Sequence, residues 1–329
     1  MKAIVYREYG LPDVLKLEEV VKPIPKDNEV LVKVVAVSVN DWDWGLLRGE
    51  PFINRLMAGF PKPGKIMILG CDIAGRVEAV GKSIKQLQVG DEVFGDISKR
   101  GFGGFAEYVC TRENTLTLKP ASMTFEQAAA LPQAGVLALM GLRKGQIQKR
   151  DSQLKQQRVL INGASGGAGS YAVQIAKQFG AEVTGVCRSN KLEFVRSLGA
   201  DHVIDFTLED FTKNRQHYDL ILDLMGFHSI FAYMRVLAPN GIYVMVGGSS
   251  ALANKVLFLG IWISMFGSKK MGLLLLKQNK DLDYLIELFE SGKVVPVIDK
   301  CYPLSETADA LRYFGEGPKK GKVVITLEQ

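Results

Sequence analysis

Cysteine is scarce in this chain of 329 residues, and the four present, Cys71, Cys110, Cys187 and Cys301, stand far apart with no Cys-x-x-Cys pair among them. That spacing excludes a disulfide framework and a cysteine-rich zinc site, and it fits a reducing cytoplasm. Also lacking is any block of basic residues interleaved with aromatics, although the net charge is +6. Scattered Lys and Arg argue against a nucleic-acid surface and leave a modest positive field suited to a small anionic ligand. No apolar run reaches the roughly 20 residues a spanning helix needs. The most apolar one, Val256 to Phe266, is interrupted by Gly260 and Ser264 and followed by Lys269 and Lys270. The opening Met-Lys-Ala-Ile-Val-Tyr alternates like a strand and has no apolar signal-peptide core, so a cytoplasmic protein is expected. No internal repeat or low-complexity tract stands out.

What is present reads as an ordinary enzyme body. Hydrophobic residues make up 47% and charged residues 23%, and the length suits about two domains of roughly 150 residues each. From Met1 to about Ala121, short strand-like runs separated by Gly, Pro and Asp predict a mostly β domain: Ala3 to Tyr6, Glu29 to Val39, Gly75 to Val80, Glu92 to Phe94 and Phe105 to Val109. Helical periodicity then appears over Phe125 to Ala130 and Gly135 to Leu142.

From Arg158 onward, apolar strands at Val159 to Asn162, Glu182 to Val186, His202 to Ile204, Leu220 to Asp223 and Ile242 to Val246 alternate with helices such as Gly169 to Phe179 and Lys191 to Leu198. That rhythm predicts a parallel, doubly wound α/β sheet. Residues 251–276 read as an apolar insertion, with three possible covers: a subunit contact, a lid over an apolar substrate, or peripheral attachment to a bilayer. A helix near Leu282 to Ser291 and strand-like text at Val294 to Val297 and Lys322 to Leu327 then return the chain to the first domain. The expected division is therefore 1–122 with 277–329, and 123–276.

The strand Arg158-Val-Leu-Ile-Asn162 runs into Gly163, Ala164, Ser165, Gly166, Gly167, Ala168 and Gly169, and then into a helix. Small residues in that setting let the backbone turn tightly and approach a pyrophosphate, whose charge is met by amide N–H groups and the positive helix end. The bland reading is a Gly-rich turn; strand before, helix after and a second strand at the expected distance favour a dinucleotide site. After the second strand, where an NAD site usually places an acid for the ribose hydroxyls, the chain has Arg188, Ser189 and Lys191. These could hold a 2′-phosphate, which selects NADPH. The competing reading makes Arg188 and Lys191 solvated charges at a helix start.

Several stretches resemble signatures of the medium-chain dehydrogenase/reductase superfamily. They are Asp72-Ile-Ala-Gly-Arg-Val-Glu-Ala-Val-Gly81, Val89-Gly-Asp-Glu-Val-Phe94, Gly104-Phe-Ala-Glu-Tyr-Val109, Leu131-Pro-Gln-Ala-Gly135, Leu198-Gly-Ala-Asp-His-Val-Ile-Asp205 and Gly321-Lys-Val-Val-Ile325. The resemblance implies a GroES-like catalytic domain, a Rossmann domain and an active-site cleft between them. It also implies cofactor contacts at Gly226, Gly247 and Lys322, each with a plainer reading as turn glycine or surface lysine.

Where zinc alcohol dehydrogenases carry a cysteine ligand, this chain has Asn40; where they have Gly-His-Glu it has Gly70-Cys71-Asp72. No cysteine lies near Gln133 and Ala134, and no four-cysteine lobe lies between Asp91 and Gly104. Zinc catalysis needs three convergent protein ligands with an open fourth position, so no metal is expected.

The segment Asn40-Asp-Trp-Asp-Trp44 is similar to the Asn-Pro-x-Asp-Trp segment of the zinc-free, quinone-oxidoreductase-like branch. Asp41 stands where the branch has Pro, and Gly45 where many relatives have a cleft tyrosine. Asn40 is the candidate catalytic residue. The resemblance implies an NADPH-dependent reductase of apolar quinones or enones, expected as a homodimer. The alternatives are a cofactor-binding protein of the same fold with a scaffold role, or an alcohol dehydrogenase.

Overall fold

The computed structural model describes residues 1–147 and 156–327. The chain divides into two compact units: Met1–Gln133, Gln278–Ile286 and Pro296–Gln329 form the first, and Ala134–Lys277 with Glu287–Val295 the second.

In the first unit β1 (Lys2–Val5) and β2 (Lys16–Glu19) pair as a small antiparallel ribbon. The long strand β3 (Glu29–Ser38) leads into helices α1 (Asp41–Arg48) and α2 (Ile53–Ala58), and β4 (Asp72–Val80), β5 (Glu92–Asp96), β6 (Tyr108–Arg112) and β7 (Thr117–Leu118) follow. Helix α1 was not expected from its text. It forms because Asn40 and Asp43 close a reciprocal capping box at its start, and Gly49, at φ +63°, supplies the left-handed turn that ends it. Helix α3 (Phe125–Ala130) is capped by a Thr124–Gln127 box and packs on β3, β4 and β5, which keeps it with the first unit. Residues 123–133 thus belong with the first unit. Helix α4 (Pro132–Lys144) follows.

The second unit contains β8 (Arg158–Asn162), α5 (Gly167–Gln178), β9 (Glu182–Cys187), α6 (Leu192–Ser197), β10 (His202–Asp205), β11 (Tyr218–Asp223), α7 (Ile230–Val236), β12 (Leu237–Met245), α8 (Ser250–Phe266) and β13 (Lys270–Leu273). Its six strands are all parallel, in the order β10-β9-β8-β11-β12-β13, the doubly wound order in which the first strand of the unit is central. Their text is apolar throughout because a parallel sheet is covered on both faces; Leu160, Ile221, Tyr233 and Tyr243 share its core. Gly180 and Gly199 end α5 and α6 at φ +77° and +101°. The stretch 251–276, read from sequence as an insertion, is part of the fold. Helix α8 packs on β13, and β13 completes the sheet as its edge strand.

Helix α9 (Leu282–Glu290) follows. The strand expected at Val294 to Val297 forms instead as β14 (Ile298–Pro303), because Val294 is buried as packing while its neighbours stay irregular. After α10 (Thr307–Glu316), β15 (Lys322–Thr326) pairs antiparallel with β3, giving the first unit a seven-stranded sheet, β14-β15-β3-β4-β5-β7, with β6 also on β3. Val32, Val37, Ile73, Phe105, Leu311 and Val323 belong to its core.

Candidate functional site

Two polar constructions stand out, one in each unit. In the second unit, β8 ends at Asn162 and the chain turns at Gly163, which holds φ +92°, a conformation costly for any residue with a Cβ. The amides of Gly163 and Ala164 both donate to the Val186 carbonyl (3.1 and 3.0 Å), tying the turn to the end of β9. Gly169 is wedged inside: a Cβ there would stand 2.1 Å from the Gly163 carbonyl oxygen. Ala164, Ser165 and Gly169 are buried, whereas Gly166, Gly167 and Ala168 remain partly open to solvent at the start of α5. No side chain caps that end. First-turn amides have no partner within the helix, so this open, uncapped terminus is one that could receive an anion. All seven loop residues expected from sequence are thus brought together.

At the end of β9, Arg188 and Ser189 are exposed and Lys191 is half-buried. The Arg188 guanidinium lies over the Phe206 ring at 5.9 Å. The Ser189 hydroxyl donates to Asp205, the last residue of β10, which also accepts from the Thr207 amide (2.9 Å) and hydroxyl (2.7 Å). These donors, Ser189 foremost, hold the Asp205 carboxyl below its ordinary range. The sequence reading missed this acid beside the three candidates, although it ends a quoted signature.

A second group missed from sequence sits at the end of β11. The buried Asp223 carboxylate accepts from Asn162 Nδ2 (2.8 Å), the amides of Met225 (3.1 Å) and Gly226 (2.8 Å), and the Tyr243 hydroxyl (2.7 Å). Tyr243 and Tyr233 lie with ring centroids 4.5 Å apart and planes tilted by 34°, and burial, helped by the Asp223 charge, raises both phenols and keeps them neutral. This network pins Gly226 at φ +61° against Gly247: a Cβ on Gly226 would meet the Gly247 carbonyl at 2.8 Å, and one on Gly247 the Leu224 carbonyl at 2.4 Å. Both glycines are explained by backbone packing at adjoining strand ends.

In the first unit the sheet register brings polar side chains to one place. Ser38 pairs with Asp72 and with Val324, and Asp72 pairs with Asp96, so the ends of β15, β3, β4 and β5 lie side by side. Asn40 caps α1 just beyond β3. Its Nδ2 donates to Asp72 Oδ2 (3.1 Å) and the Ser38 carbonyl (3.2 Å) and lies 3.6 Å from Cys71 Sγ, while its Oδ1 accepts from Lys322 Nζ at 2.5 Å. Lys322 is 2% exposed, with its ammonium also 3.9 Å from Asp72 Oδ2. The contact expected of it, to a phosphate or ribose, gives way here to a buried site among Asn40, Val39 and Asp72, because β15 delivers it to the inside of the sheet end.

Asp43, also fully buried, accepts from the Asn40 amide (2.8 Å) and the Gly70 amide (2.7 Å), and burial pushes its carboxyl up to about 7. Burial likewise raises Asp72 and Asp96, against the pull of the Lys322 charge. Trp44 packs against α10 at Gly315 and Trp42 faces Phe102 at 6.4 Å, both as partly buried packing residues.

Ligand atoms of Cys71, Asp72 and Asp96 lie within 4.8 Å of one another, the one such group of three among the described residues. The donor set is a poor match for catalytic zinc. Burial, then the Asp72 charge, pushes the Cys71 thiol well above its ordinary value. Asp72 Oδ2 already accepts from Asn40 and the Gln133 amide (3.1 Å), and the Lys322 cation stands beside it.

A doubly wound parallel sheet with an open, glycine-lined helix terminus after its first strand, carried beside a GroES-like unit, defines a nicotinamide-dependent oxidoreductase architecture. Residues 26–121 match the family model described as alcohol dehydrogenase GroES-like domain, and residues 198–325 match zinc-binding dehydrogenase. The chain is 33% identical to the chloroplast envelope quinone oxidoreductase homolog of Arabidopsis thaliana, covering 99% of this chain and 98% of that protein. It is 37% identical to the NADPH-dependent alkenal/one oxidoreductase, chloroplastic, of the same plant, covering 99% and 79%. Among solved structures, the quinone oxidoreductase from Coxiella burnetii superposes with a TM-score of 0.89 at 30% identity, covering 100% of this chain and 99% of that one. The chain belongs to the quinone-oxidoreductase-like branch of the medium-chain dehydrogenase/reductase superfamily, and it is an oxidoreductase.

Proposed function

We propose that the chain is an NADPH-dependent reductase of quinones or of the C=C bond of α,β-unsaturated carbonyls, working without zinc. The observation that supports this reading is the first unit's polar cluster, where an amide and an ammonium, Asn40 and Lys322, sit among the carboxylates and engage Asp72. When bound, NADPH supplies a hydride. An isolated carbonyl needs strong polarisation of its oxygen as hydride arrives, which zinc provides in the related alcohol dehydrogenases. A conjugated acceptor spreads the charge into an enolate, and one or two hydrogen-bond donors, each worth about 2.7–4 kcal/mol, suffice.

The loop from Gly163 to Gly169 would hold the pyrophosphate through the open amides of α5, and Arg188 and Lys191 would meet the 2′-phosphate. Ser189 would join them on giving up its bond to Asp205. Both amide hydrogens of Asn40 are engaged, so Asn40 would act as a positioning residue held by Lys322. The same reading carries a cytoplasmic homodimer, checked by light scattering. Product analysis with 4-deuterated NADPH and an enone tests the reaction: deuterium is expected at the β-carbon, and a deuterated alcohol carbon as main product overturns the assignment.

A further inference from the structure

Helix α8 is apolar on both of its sides. One stripe, Leu252, Val256 and Gly260 at four-residue spacing, is buried, with Gly260 close against the backbone of Met271 on β13. The opposite side carries Phe258, Trp262, Met265 and Phe266, each 63–76% exposed, and Trp262 and Phe266 stack at 5.5 Å. Soluble surfaces rarely leave such a stripe uncovered. The helix has 17 residues, roughly 25 Å of length, and among the described residues no helix is long and apolar enough to cross a membrane.

Charge decides what covers it. Between Asp223 and Asp281 the chain has no Asp or Glu at all, but it has Arg235, Lys255, Lys269, Lys270, Lys277 and Lys280. Helix α7 and strand β13, the elements α8 packs against, both lie in that acid-free stretch. Lys269 is tied to the Met234 carbonyl (2.6 Å), while Lys255, Lys270 and Lys277 are exposed, one on the helix and two beyond its end. Exposed aromatics on the helix with cations on and after it, and no acid in the supporting elements, match the headgroup region of an anionic bilayer. An interface with a second copy of the chain would bring like-charged lysines together without an acid from this region to meet them.

We propose that the outer side of α8 is a peripheral docking surface that lies in the plane of an anionic membrane, with Phe258, Trp262, Met265 and Phe266 at the acyl boundary and Lys255, Lys270 and Lys277 at lipid phosphates. The test is co-sedimentation of the full chain with phosphatidylcholine vesicles containing roughly one third phosphatidylglycerol, and with phosphatidylcholine alone. Partitioning at least about 10-fold stronger onto the anionic vesicles, weakened by salt, is expected, with a blue shift of Trp262 emission. A Phe258→Ser/Trp262→Ser/Met265→Ser variant should lose partitioning by about 10-fold or more, and Lys255→Glu/Lys270→Glu should reduce anionic binding to the neutral level. Because all these side chains are exposed, thermal unfolding should be unchanged. Absence of binding to anionic vesicles overturns the proposal. So does equal binding by the triple variant, or a native dimer that the triple variant turns into a monomer, which would make a second copy the cover.

Discussion

The buried carboxylate of Asp223 in the second unit meets four donors, two of them backbone amides, whereas the buried carboxylates of Asp72 and Asp96 in the first unit are under-supplied. Asp43, Asp72 and Asp96 lie within reach of one buried cation, Lys322, and Asp72 Oδ1 and Asp96 Oδ2 have no hydrogen-bond partner among the described residues. Backbone geometry carries the second site, so its residues are small and its polar groups are satisfied. Side-chain charge carries the first, and its polar groups compete. A buried carboxylate with spare donors is structurally inert, while one short of donors responds to any change in proton or cation nearby.

The sharpest way to break this contrast is Lys322→Met. Removing the ammonium leaves the Asn40 Oδ1 without its donor and the buried Asp72 without its neighbouring cation, and a loss of about 3–5 kcal/mol in urea unfolding is expected. The double variant Lys322→Met/Asp72→Asn should recover at least half of that loss, since the charge that Lys322 answers is gone. A single variant costing less than about 1 kcal/mol would show that the ammonium is not what holds the cluster.

In the second unit the corresponding test acts on the backbone. Gly169→Val places a Cβ where 2.1 Å separates it from the Gly163 carbonyl, so the turn must open and α5 must shift. NADPH affinity by calorimetry should fall at least about 100-fold, and an unchanged Kd would refute the role assigned to the loop. Arg188→Ala should weaken NADPH by roughly 10- to 100-fold and leave NADH little changed, since a charge-assisted contact contributes about 1.5–3 kcal/mol. Equal affinity of the native protein for both cofactors would remove the basis for the NADPH assignment.

The smallest effect is a pH dependence in the first unit. Asp43 sits at about 7 in the folded protein because of burial, against about 3.9 in the unfolded chain. Between those values the unfolded state binds fewer protons, so the stabilisation is full below pH 4 and is lost as pH rises through 7. Unfolding free energy should drop by roughly 2 kcal/mol from pH 5 to pH 7, and Asp43→Asn should flatten that slope. A slope unchanged in the variant would assign the proton to Asp72 or Asp96.

Periodicity and turn residues were enough to read the doubly wound sheet, because parallel strands buried on both faces are continuously apolar and glycines mark the helix ends. The loop from Gly163 to Gly169 was legible for the same reason: its chemistry is local, contained in one strand, one turn and one helix start. The status of 251–276 was not legible, since an edge strand of four residues, Lys270–Leu273, carries too little text to be distinguished from an insertion. Helix α1 escaped because a run of Asp and Trp hides a capping box that only the backbone reveals.

By itself, then, the sequence determined the family, the alternating strands and helices of the second unit and the glycine-lined turn after β8, all of which depend on neighbours along the chain. Tertiary structure alone decided where Lys322 goes, since 282 positions separate it from Asn40 and only the pairing of β15 with β3 joins them. It also decided that Asp205 sits against Ser189 and that Asp223 is fastened by Asn162 and Tyr243. Each of those contacts crosses from one strand to another, and register between strands is set by packing the whole sheet, which no local run of residues encodes.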